Sequence, residues 1–87
     1  MYVYDREKAW IFTDQGQRQF LRIRDRAKGL CKLAGAVTMG AAISGESGSS
    51  WEMMACVDRL VELGELREVS ERGCAGQHRL FVAEEEG

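Results

Sequence analysis

Between Thr13 and Gly35 the apolar residues Phe20, Ile23, Ala27, Leu30, Cys31 and Ala34 recur at helical intervals. Their spacing draws one continuous stripe down an α-helix, a pattern that a strand cannot reproduce. Thr13 or Asp14 offers an N-cap, with Gln17 in the capping-box position after Asp14, and Gly35 supplies a left-handed stop. A helix of this length has a whole face to bury, so the rest of the 87-residue chain must form the other side of its core. One domain is expected, and folding at this size buries roughly 60–65% of the unfolded surface without metal or disulfide.

The remaining segments supply smaller pieces. "YVYDREKAWIF" sets aromatic and β-branched residues on either side of a charged tetrad, Asp5 to Lys8, and reads as a β-arm or hairpin over residues 1–12. "AVTM" is a short β-like stretch, and "MGAAISG" holds a short helix of small residues. Ser49 and Glu52 form an S-x-x-E capping box ahead of a helix running to Leu63, with Met53, Val57, Leu60 and Val61 facing inwards. Gly64 stops that helix, and "ELREV" and "HRLFV" are strand candidates around a glycine-containing loop. The acidic tail, residues 83–87, is expected to be disordered.

Composition narrows the function classes. The three cysteines are odd in number and widely spaced, at 31, 56 and 74, which fits a reducing compartment. Cys31 and Cys56 fall on apolar helix positions, whereas Cys74 falls in a loop. No apolar run approaches the ~18 residues that span a bilayer. The N-terminus lacks signal-peptide organisation, so a cytoplasmic protein with no membrane association is expected. His78 and Cys74 are two potential ligands and do not make a zinc site, so no metal is expected. No nucleophile–base pair, cofactor fingerprint or P-loop lysine is present, and the expectation is a non-enzyme without cofactor.

Taken in order, "FTDQGQRQFLRIRDRAKGL", "MGAAISG", "SSWEMMACVDRLVELGEL" and the returning "GELREVSERGCAGQHRLFV" resemble a winged helix-turn-helix domain over residues 13–82. The resemblance implies a mainly α fold with a small β component: a three-helix core, a C-terminal hairpin wing and an N-terminal β-arm. It also implies a small DNA-binding regulator, bacterial or phage-encoded, that forms a homodimer through the arm. By position, Ser47, Ser49 and Ser50 stand at the entrance of the reading helix. Arg18, Arg22 and Arg26 on the first helix, or Arg72, His78 and Arg79 on the wing, would contact phosphates of double-stranded DNA.

Charge divides this picture. Over residues 14–32, Arg18, Arg22, Arg24, Arg26, Lys28 and Lys32 oppose only Asp14 and Asp25, a net of +4. Over residues 49–63, Arg59 alone opposes Glu52, Asp58 and Glu62, a net of −2, with no lysine, asparagine or glutamine to read bases. Such a helix repels phosphate. The alternative expectation is a protein-interaction module of the inhibitor or adaptor kind. On it, Trp51, Glu52, Asp58 and Glu62 would face a basic protein surface. Basic charge continuous from first helix to wing would favour DNA, and an apolar patch around Trp51 would favour protein.

Overall fold

The structure is a computed structural model that describes residues 1–84. Its longest element, α2 (Asp14–Ala34), follows α1 (Tyr4–Glu7) and a 3-10 helix at Lys8–Phe12. Then come β1 (Val37–Thr38), α3 (Met39–Ala42), α4 (Ser50–Glu62), β2 (Leu66–Glu68), a 3-10 turn at Gly76–His78, and β3 (Leu80–Ala83). The architecture is mainly α-helical with a small antiparallel hairpin and an extra strand, compatible with a winged-helix-like fold.

α2 forms where its periodicity places it. Thr13 is the cap, its Oγ1 accepting from the Gly16 amide at 3.0 Å, and Gly35 closes the helix at φ +86° with its amide on the Cys31 carbonyl. Phe20, Ile23, Ala27 and Cys31 are buried along one face, while Leu30 is half-buried and Ala34 exposed. That face packs on α4, from which Met53, Ala55, Cys56, Val57 and Leu60 are buried. Each large aliphatic side chain removed from water contributes about 1.5–3 kcal/mol.

The sheet has the order β1-β3-β2, with β3 central and both neighbours antiparallel to it. Val37 opposes Phe81, and Leu66 opposes Ala83, so Val37, Leu66 and Phe81 enter the same core. β2 and β3 form the small antiparallel hairpin wing. Ser70 Oγ accepts from the Leu80 amide at 2.7 Å, and the 3-10 turn lies against α3. Gly40 permits that approach, since a Cβ there would sit 3.1 Å from the Cβ of Gln77.

Three expectations need correction. Residues 4–12 are helical, not a β-arm. Tyr4 and Ile11 lie seven residues apart, about two helical turns, and helical winding lets both pack against the core. Strand alternation would have pointed them to opposite faces. Asp5 and Lys8 pair across one turn at 3.4 Å. Ser49 is the N-cap of α4, but its side chain makes no capping bond, and Glu52 lines a neighbouring cleft. Finally, Ala83 does not belong to a disordered tail. Ala83 closes β3 and Glu84 pairs with Arg67 at 3.2 Å, while residues 85–87 lie outside the described residues.

Candidate functional site

Two clefts flank the N-terminal end of α4, and between them they gather six of the thirteen residues named from sequence. The polar one, about 340 Å³, lies towards α2 and is lined by Trp10, Gln15, Arg18, Arg22, Ser47 and Glu52, among others. Gln19 forms part of its wall at 5% exposure. Its carboxamide accepts from the Trp10 indole at 2.9 Å and donates to the Ser47 carbonyl at 3.1 Å and to Glu46 at 3.3 Å. With both ends of the amide engaged, the turn before α4 is tied to α2.

The arginine strip of α2 is largely committed to this turn. Arg22 donates to both oxygens of Glu46, the closest contact being 2.9 Å. Arg26 donates to the Ala42 carbonyl and to Glu46, both at 3.0 Å. The Glu46 side chain is 3% exposed, and Arg22, assisted by Arg26 and Gln19, lowers its pKa to about 2. Two of the three arginines expected on α2 to contact phosphate are thus tied to one carboxylate, which offsets one of their two charges. Arg18 is exposed and, among the described residues, makes no ion pair. Glu46 was not singled out from the sequence. Its only signal was a lone acid in a Gly/Ser turn facing basic residues four apart on a helix.

Glu46 also carries a prediction. Its pKa is depressed, so its stabilisation is fully present above the ordinary value of 4.5 and is lost as pH falls through about 2. Glu46→Gln should cost about 2 kcal/mol at neutral pH. The gap from wild type, measured by urea unfolding, should shrink steadily below pH ~4.5. A constant gap down to pH ~2 would exclude ionic anchoring of the turn.

The second cleft, about 400 Å³, lies towards the N-terminus and the hairpin loop and is lined by Met1, Tyr2, Trp51, Met54, Cys74, Ala75, Gly76 and Arg79. Apart from Arg79 and the Tyr2 hydroxyl, these side chains are apolar or uncharged. Trp51 is 41% exposed, Met54 half-buried and Met53 in the core, as the 100° step between consecutive helical residues requires. Cys74 is exposed, whereas Cys31 and Cys56 are buried. Burial pushes the Cys56 thiol up to about 12.

The hairpin residues do not act together. Arg72 and His78 are exposed, but Arg79 turns inward and donates to Asp58 at 2.7 Å and to Glu68 at 2.8 Å, with its guanidinium 5.2 Å from the Phe81 ring centroid. Its side chain is 15% exposed. Nor do Asp58 and Glu62 face solvent freely. Tyr2 Oη donates to Asp58 at 2.5 Å, Tyr4 Oη donates to Glu62 at 2.8 Å, and Arg59 reaches Glu62 at 2.7 Å. Burial, then the bond to Glu62, raises Tyr4 to about 12, and the bond from Tyr4 lowers Glu62. Ser47, Ser49 and Ser50 are exposed at the start of α4, as expected.

Among the described residues, no three Cys, His, Asp or Glu side chains are grouped to hold a metal ion, and no helix is long and apolar enough to cross a membrane. No protein-family model, curated protein or solved structure matches the chain.

Proposed function

We propose that this domain is a protein-interaction module on a winged-helix-like scaffold, with the N-terminal end of α4 as its contact point. The observation that carries this is Trp51, 41% exposed at an apolar cleft of about 400 Å³ beside Met54 and Ala75. A large aromatic side chain at such a cleft is the usual anchor of a protein interface. Basic charge, by contrast, does not run from α2 to the hairpin. Arg22 and Arg26 are held by Glu46, and Arg79 by Asp58 and Glu68. Arginines already held by carboxylates within the domain would have to leave those partners to neutralise phosphates.

DNA binding by a small transcriptional regulator is the second possibility. It is favoured by one observation: the exposed Arg18 shares the polar cleft with Ser47 at the approach to α4.

One pair of measurements separates the two. Fluorescence anisotropy with random-sequence duplex DNA, from about 20 to 200 mM salt, should show no salt-sensitive binding. A partner captured by the wild-type chain and purified should bind Trp51→Ala about thirtyfold more weakly and Arg18→Glu unchanged. Salt-sensitive DNA binding that Arg18→Glu abolishes and Trp51→Ala leaves intact would reverse the assignment.

A further inference from the structure

Trp51, Met54, Asp58, Val61 and Glu62 form one stripe along α4 at helical spacing, bordering the buried face of Met53, Val57 and Leu60, with Met54 and Val61 at its inner edge. The start of the chain runs along this stripe in the same direction as the helix. Met1 and Tyr2 lie at the cleft with Trp51 and Met54, Tyr2 bonds Asp58, and Tyr4 bonds Glu62 one turn further on.

This segment is held differently from the stretch that follows it. Ile11 is 1% exposed in the core, Trp10 is tied to Gln19, and Gln17 donates to the Ile11 carbonyl. In contrast, α1 contains no buried residue, and Tyr2 and Tyr4 pack against the core while only half-buried. Segments with few buried apolar contacts open at lower free energy than the core to which they are joined. Residues 1–7 therefore have the form of a strap attached to a fixed corner at residues 10–12.

We propose that residues 1–7 act as an internal pseudo-ligand on the α4 stripe and are displaced by a partner segment that is both basic and apolar. Its basic side chains sit about one helical turn apart to meet Asp58 and Glu62, and an apolar side chain enters the cleft at Trp51 and Met54. The proposal rests on the protein-interaction reading and specifies the partner's chemistry. That chemistry follows from the strap's own contacts, two hydroxyl donors one turn apart on carboxylates with Met1 at the apolar end. Arginine or lysine on a carboxylate is a stronger donor than a neutral phenol, so such a segment can outcompete the strap.

The test uses the full chain and Tyr2→Phe/Tyr4→Phe, which keeps both rings and removes both hydroxyls. In the wild type, amides of residues 4–8 should exchange with deuterium well before those of α2. In the double variant they should exchange about tenfold faster still, with α2 unchanged. The probe is a synthetic peptide with a phenylalanine followed by two arginines one helical turn apart, beside a control with glutamates for arginines. It should bind the double variant about tenfold more tightly than wild type, and the control should bind neither.

Exchange of residues 4–8 only with global unfolding would show that they are not a strap. Opening of the strap with equal peptide affinity for both proteins, or none for either, would show that the stripe is not the docking face. Either failure leaves the Trp51→Ala measurement on a captured partner standing, so loss of this proposal is distinguishable from loss of the function it rests on.

Discussion

Arg79→Met should destabilise the domain by about 3 kcal/mol, although from sequence Arg79 was expected to serve a phosphate. Its guanidinium bridges Asp58 on α4 and Glu68 on β2, and its side chain is only 15% exposed. Removing it leaves two neighbouring carboxylates, one of them 15% exposed, with their strongest counter-charge gone. Breaking such a pair from one side costs about 3–5 kcal/mol, more than deleting the pair altogether. The value is placed at the lower end because Glu68 is 34% exposed and partly screened. In a domain this small the loss lowers Tm by roughly 12–24 °C. Thermal and urea unfolding followed by circular dichroism would measure it. A loss below about 1 kcal/mol would mean that the network is not structural, and Arg79 would again be available for nucleic acid.

Gly16→Ala should be at least as damaging. Gly16 lies in the first turn of α2, where the 3-10 helix at Lys8–Phe12 turns the corner. A Cβ there would overlap the Trp10 carbonyl oxygen and lie 2.6 Å from its carbon. The obstacle is backbone, so no rotamer change relieves it. Trp10 is also fixed by its indole bond to Gln19, and its carbonyl accepts from both the Thr13 amide and the Thr13 hydroxyl. Overpacking in a responsive core costs about 1–3 kcal/mol, and a backbone corner held this firmly should exceed about 3. Helix propensity, which favours alanine over glycine by about 1 kcal/mol, pulls the other way. Urea midpoints therefore decide whether the local gain or the steric clash dominates. Stabilisation would mean that the corner can move apart without loss.

The contrast between these two sites shows what was readable from sequence. α2 was legible because its stripe repeats over 21 residues and is bounded by local cap chemistry at Thr13 and Gly35. The hairpin was legible from apolar runs around a glycine-containing loop, although β3 starts at Leu80 instead of His78 because the preceding residues wind into a 3-10 turn. Residues 1–12 were misread because their conformation is decided by distant partners. Ile11 enters the core, and the two tyrosines find carboxylates 56 and 58 residues away. Glu46 was missed for the same reason, since its arginines lie 20 and 24 residues upstream. Arginine spacing established a shared helix face but carried no sign that a buried carboxylate sits on it.

The central position of β3 has a consequence for biosynthesis. Its residues emerge from the ribosome after every other element of the fold, yet both β1 and β2 hydrogen-bond only through it. Until Leu80–Ala83 are available, Val37 and Leu66 lack their strand neighbour, and the core lacks Phe81. Helices α2 and α4 can form early from local contacts, but the sheet must wait for pairings across more than forty residues, such as Val37 with Phe81. Between completion of α4 at Glu62 and the arrival of Leu80–Ala83, the nascent chain is thus a helical pair with an open apolar flank, which β3 then closes.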